Sequence, residues 1–231
     1  MAYKNENFAP NFLDYIENEK LQSDLFIEYT VNKGIYVFQD QDPADQIFIL
    51  KSGALKAECS SPTGRKFIKE IFNPGDLFGE LALYNTLYTE SVTALEPSVV
   101  LSIDKEDFKK ILLEQPQINT VVNHIMVKRR MQLEKRFEKL IFMDSRSRIL
   151  EFLINLAEKE GRAVGFEKEV KINLTHQDIA ELNFTSRQKV TILMNELKSK
   201  KIISFNRRRI LFRDLDQLRT ELRPSLLVTS E

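Results

Sequence analysis

The 231-residue chain carries one cysteine, Cys59, and two histidines, His124 and His176. A lone cysteine excludes an intramolecular disulfide framework, a cysteine-only zinc site and a chain-borne iron–sulfur cluster. No apolar run approaches the ~18 residues of a membrane span, and the opening MAYKNENFAPNFLDYIENEK is too polar for a secretory signal. A soluble cytoplasmic protein with no membrane partner is expected. Net charge is missing too, with 34 Lys+Arg against 34 Asp+Glu. The cancellation hides an asymmetry: Met1–Met143 has 17 basic against 21 acidic residues, Asp144–Glu231 has 17 against 13, and Ile172–Arg213 has 9 against 3. A basic C-terminal segment suits an anionic partner such as nucleic acid.

Proline is absent from Gln117 through Arg223, whereas ten of the fourteen glycines and prolines fall between Gly34 and Pro116. Dense punctuation between short apolar runs predicts strands and turns, and its loss predicts long helices. The runs Ile35–Phe38, Ile47–Leu50, Phe67–Ile71 and Ser98–Ile103 read as strands of an antiparallel barrel or sandwich. Lys105–Leu113 reads as a short helix stopped by Pro116. From Gln117 to about Phe142 a broken stripe of Ile118, Val122, Ile125, Leu133, Phe137 and Leu140, interrupted by Arg129, predicts a helix nearly 40 Å long. It could pack on its own barrel or on a second copy of the chain. Asp144 would cap the next helix, Glu160–Gly165 would be a loop, and the domain boundary is placed near Met143.

Leu174–Leu197 is the most informative stretch. Thr175 and Asp178 suit a helix N-terminus; after Asn183-Phe184-Thr185, a second helix starts at Thr185 or Ser186 and buries Val190, Leu193, Met194 and Leu197. These two helices describe a helix-turn-helix. Gln188, Thr191, Ile192 and Asn195 face outward beside Arg187, a set able to read base edges in the major groove. A capping box between Thr185 and Gln188, with Arg187 merely solvated, is the alternative. Ile202–Phe205 and Ile210–Phe212 around Arg207, Arg208 and Arg209 read as a β-hairpin wing whose tip suits phosphate oxygens. Thr175, His176, Ser186, Arg187, Gln188, Lys189, Thr191, Ile192, Arg207, Arg208 and Arg209 are therefore the expected DNA-contacting residues.

These segments resemble the Crp/Fnr superfamily, the cyclic-AMP receptor protein and fumarate–nitrate regulator family. The resemblance rests on Lys33-Gly34, Val37-Phe38, Asp42–Gly53, Asn73–Leu83, Thr175–Ala180 and Thr185–Gln188 in order. It implies an α+β chain: a cyclic-nucleotide-binding-type jelly-roll barrel (1–116), a dimerisation helix (117–143) and a winged helix-turn-helix domain (144–231). A hinge at Met143 and Asp144, a homodimer paired through the long helix, double-stranded DNA as target and RNA polymerase as a further partner are implied with it.

The ligand constellation departs from the family. Gly79-Glu80-Leu81-Ala82-Leu83 matches the segment whose glutamate meets a ribose hydroxyl, but the following Arg-Ser pair is Glu90-Ser91 here. A carboxylate facing a phosphate loses the bidentate attraction and adds repulsion of ~1 kcal/mol in water to ~4 kcal/mol near a protein surface. The helix N-terminus at Gly79-Glu80 remains as a weak anion site. The Thr-Ser pair that meets the base in the family corresponds to Leu133-Glu134. No cyclic-AMP response is expected. No cofactor is expected either: the cysteine cluster of the iron–sulfur branch is missing, and neither histidine carries a haem signal. A cupin-type metal enzyme would need histidines inside the barrel segment, which has none, so no enzyme is expected. A barrel sensor acting on a non-DNA partner, with a degenerate winged helix, remains the alternative.

Overall fold

The computed structural model describes residues 12–13, 23–206 and 208–222. The chain divides into two units, Met1–Glu134 and Lys135–Glu231.

In the first unit, eight strands among the described residues form two antiparallel sheets. One has β1 (Ile27–Val31), β8 (Ser98–Asp104), β3 (Gln46–Ser52) and β6 (Leu77–Phe78) in that order; the other has β2 (Tyr36–Phe38), β7 (Ser91–Ala94), β4 (Leu55–Ser60) and β5 (Lys66–Phe72). Ile47–Leu50 is buried throughout, as expected of a strand covered on both faces. Phe38, Phe48, Phe72, Phe78 and Tyr88 make a chain of stacked rings, with neighbouring centroids 3.8–5.4 Å apart. Gly53 sits at φ +93°, and a Cβ there would collide with the Ser98 backbone, so this turn requires glycine. Sequence patterning gave no separate signal for β1, β4, β6 and β7, three of which have five residues or fewer.

Asp104 caps helix α1 (Lys105–Glu114) by accepting from the backbone N–H groups of Glu106 and Asp107. Pro116, expected to stop that helix, opens the next one, where its missing N–H costs nothing. Helix α2 (Pro116–Phe142) buries Ile118, Val121, Val122 and Ile125 in the barrel core. The expected stripe changes character halfway: Leu133, Phe137 and Leu140 are exposed. The unit boundary falls inside α2, because its last turns make their contacts with C-terminal elements.

In the second unit, Asp144 caps α3 (Ser145–Lys159), its carboxylate 2.7 Å from the Ser147 N–H. Helices α4 (His176–Leu182), α5 (Arg187–Ser199) and α6 (Leu215–Leu222) share a core with α3 built on Leu150, Leu153, Val190, Leu197 and Phe212. The hairpin of β11 (Ile203–Phe205) and β12 (Arg209–Phe212) belongs to a four-stranded sheet, continued by β10 (Glu167–Lys171) and β9 (Arg162–Val164). The expected loop at Glu160–Gly165 therefore contains a strand. All three β9 residues are exposed, so no apolar alternation marked it.

Candidate nucleic-acid interface

Thr175 and Asp178 cap α4 reciprocally: the Thr175 N–H donates to the Asp178 carboxylate at 2.8 Å, and the Asp178 N–H donates to the Thr175 hydroxyl at 3.1 Å. At the turn, Asn183 Nδ2 donates to the Ile179 carbonyl at 2.8 Å, and Phe184 takes φ +50°. That conformation is costly for an aromatic residue. Two arginines hold it. Arg136, on the last turns of α2, places its guanidinium 4.9 Å from the Phe184 ring centre and donates to the Leu182 carbonyl at 3.0 Å. Arg148, on α3, donates to the carbonyls of Asn183, Phe184 and Met143 at 3.0, 3.2 and 2.6 Å. The expected hinge residue Met143 is thus braced to the turn, and Asp144 serves as the α3 cap, its carboxyl held below the usual range by the Ser147 N–H.

The N-cap of α5 is Ser186, which accepts from the Lys189 N–H; the Thr185–Gln188 capping box does not form. Val190, Leu193, Met194 and Leu197 are buried, as the stripe predicts. On the opposite side Arg187, Gln188 and Ile192 are exposed and, with Thr191, line a shallow open depression. The Arg187 and Gln188 side chains make no hydrogen bond or ion pair among the described residues, while Lys189 Nζ lies 3.3 Å from the Ser145 hydroxyl. His176 bonds Thr191 through its ring nitrogen. Of the wing arginines, Arg208 is exposed at the turn, where its N–H donates to Asn206 Oδ1. Arg209 sits on β12, 3.1 Å from the Glu169 carboxylate, and is already paired; Arg207 lies outside the described residues.

The barrel positions present a different picture. Gly79 is left-handed at φ +76°, and a Cβ there would lie 2.9 Å from the Phe48 ring. Glu80–Leu83 is a single 3-10 turn, too short for the anion-binding N-terminus expected there. Ala82 is buried and Leu81 half-buried. Glu80 accepts from Arg129 Nη1 at 2.6 Å. The same guanidinium donates to the Leu77 carbonyl at 2.6 Å, lies 2.9 Å from the Glu70 carboxylate through Nε, and covers the Phe72 ring at 5.2 Å. Burial alone would depress the Arg129 pKa, but Glu80 and Glu70 outweigh it and raise it. Glu90 is buried and accepts from Lys69 at 2.6 Å. Burial opposes the Lys69 charge too, and Glu90 beside it reverses the balance upward. Ser91 accepts from the Asp40 N–H at 2.9 Å. Glu134 pairs with Arg130 on its own helix at 3.0 Å, and Leu133 is exposed.

Sequence reasoning missed Arg129, Lys69, Arg136 and Arg148. Arg129 did leave a signal: a cation inside an apolar stripe is buried and paired or the stripe is not a stripe.

Comparison with known proteins assigns both units. Residues 29–115 match the model of the cyclic nucleotide-binding domain, and residues 147–221 match the Crp-like helix-turn-helix domain. The chain is 27% identical over 187 residues to the CRP-like cAMP-activated global transcriptional regulator of Mycobacterium tuberculosis, covering 80% of this chain and 84% of that protein. It is 23% identical over 218 residues to the anaerobic regulatory protein of Bacillus subtilis, covering 92% of each. Its fold matches a CooA mutant from Carboxydothermus hydrogenoformans with a TM-score of 0.77 and 25% identity, over 91% of this chain and 94% of that one. A nucleotide-binding-type barrel followed by a Crp-like helix-turn-helix, with such relatives along most of its length, makes the chain a member of the Crp/Fnr family of DNA-binding transcription regulators.

Proposed function

We propose that the protein binds duplex DNA as a homodimer, reads its operator through α5 and does so without cyclic AMP. The observation carrying this reading is the outer face of α5, where Arg187, Gln188 and Ile192 stand exposed while their internal counterparts complete a core. Arg187 pairs with guanine, Gln188 with adenine, and Ile192 touches a thymine methyl. Lys189, Ser186, Thr175 and Arg208 fix the register on phosphates. A second copy pairs along α2, covering Phe137, Leu140 and Ile141, which are 55%, 40% and 71% exposed. The two recognition helices then meet half-sites about 34–36 Å apart. Because Arg136 and Arg148 hold the helix-turn-helix turn, the last turns of α2 travel with α5 when the domains reorient. RNA polymerase is the further partner of such a regulator.

The proposed lack of a cyclic-AMP response rests on the barrel. Glu90 with Lys69, and Glu80 with Arg129, have their charges satisfied by the chain itself. Among the described residues no group of three or more His, Cys, Asp or Glu side chains is placed to hold a metal ion. Operator selection with the purified, effector-free protein tests the whole reading: recovery of a two-fold symmetric motif is the expected result. No retardation of any duplex at low salt would favour a barrel module acting on a partner other than DNA. Calorimetric detection of micromolar cyclic-AMP binding would overturn the ligand part alone.

A further inference from the structure

Thr191 shares the outer side of α5 with Arg187 and Gln188, yet its hydroxyl already has a partner within the protein. Thr191 Oγ1 lies 3.0 Å from Nδ1 of His176, the first residue of α4. The imidazole is held from a third element as well: its centroid is 5.6 Å from that of Phe205 on β11, with the rings tilted by 57°. Lys198 Nζ lies 5.4 Å from the centre of the same phenyl ring. One histidine thus joins the first helix, the recognition helix and the wing. The charges facing it are Arg187 on α5 and, across Phe205, Lys198; on α4, the Asp178 carboxylate is taken up by Thr175. Partial burial and the Arg187 charge both hold the imidazole pKa below its ordinary value.

We propose that His176 is a positioning residue for base recognition, fixing through Nδ1 the rotamer and hydrogen-bond polarity of the Thr191 hydroxyl and so the base accepted opposite it. In the Nε2–H neutral tautomer, Nδ1 accepts the threonine proton, and Thr191 presents only lone pairs outward. Those lone pairs match the amino groups of adenine or cytosine. In the imidazolium, Nδ1–H donates to Thr191 Oγ1, and the hydroxyl proton turns outward. It then matches the guanine acceptors or thymine O4. The proton on His176 therefore inverts what Thr191 offers the groove, without moving the backbone of α5.

This inference rests on α5 being the DNA-reading element, and the test separates the two ideas. Operators are selected from randomised duplexes at pH 8 and pH 5.5 with the wild-type protein and with His176→Phe, His176→Asn and Thr191→Val. Thermal melts confirm that each variant folds. For the wild type, relative preference at one base pair is expected to change by about fivefold or more between the two pH values. His176→Phe and Thr191→Val should both lose that pH dependence and each alter the preference at that pair, leaving other positions unchanged. His176→Asn, which keeps a hydrogen-bonding atom near the Nδ1 position, should retain a defined preference at both pH values. Uniform weakening of His176→Phe on every sequence, or selection by His176→Phe identical to that of the wild type at both pH values, would overturn the positioning role while leaving DNA recognition intact. Failure of the wild type to bind any duplex would overturn both.

Discussion

In the barrel, Glu70, Glu80 and Glu90 each have a cation within 2.6–2.9 Å and lie wholly or partly buried. In the C-terminal unit, the Arg187 and Gln188 side chains stand in solvent with no hydrogen bond or ion pair among the described residues. The same chain thus closes its electrostatics around these barrel carboxylates and leaves the outer start of α5 open. Desolvation explains the difference. A buried carboxylate without a partner costs several kcal/mol, so a pocket that must stand without a ligand has to supply its own cations. A guanidinium in water costs nothing to leave unpaired, and it keeps its full hydrogen-bonding capacity for a partner. Under the proposed function, internal pairing in the barrel and the open Arg187 and Gln188 side chains distinguish a site completed by the chain from one completed by DNA.

The largest test of this contrast is Arg129→Met, which strands two carboxylates against the barrel core. A loss of about 3–5 kcal/mol in urea unfolding is expected. Adding Glu70→Gln and Glu80→Gln should return much of it, and a variant as stable as the wild type would show that the pairing carries no structural weight. Next is Arg187→Ala on the open face. It should cost ~1–3 kcal/mol of binding and relax selection at one base pair, with unfolding unchanged. Arg208→Ala should weaken all sequences alike and lower the salt slope by about 0.9, read from anisotropy titrations across ionic strength. The smallest effect lies in the exposed network in which Arg146 reaches Glu196 at 2.6 Å and Glu221 at 2.9 Å. Hydrogen bonds from Arg146 and Lys200 pull the Glu196 carboxyl down to about 2. Because the folded value is depressed, its contribution is complete above the ordinary carboxylate range near 4.5 and fades as pH falls toward 2. Solvent screening keeps that contribution to ~1 kcal/mol or less. Arg146→Ala should therefore lower the melting temperature slightly at pH 7 and not at pH 2.

How much of this could be read in advance depended on the range of the interactions. The α5 stripe, the Thr175–Asp178 cap and the Asp144 cap were legible because each is decided within four residues of sequence. The same holds for the wing, whose two apolar runs flank a polar turn. The exposed strand β9 was not legible, since no residue on it faces a core. Neither was the state of Glu90, which is separated from Lys69 by 21 residues and pairs with it only once β5 is folded. Arg129 reaches Glu80 across 49 residues, so the gap it leaves in the helical stripe was visible while its cause was not. Phe184 is the opposite case. Asn183 and Phe184 were read as a turn, but nothing local announces that an aromatic residue adopts a left-handed conformation; Arg136 and Arg148 make it tenable from elsewhere in the fold.

The Lys69–Glu90 pair has a further consequence for substitutions at this position. Glu90→Arg would write the family's phosphate-binding dipeptide back into the chain, yet the new guanidinium would arrive beside the ammonium of Lys69 and meet like charge. Relieving that repulsion takes a second change at Lys69, on β5.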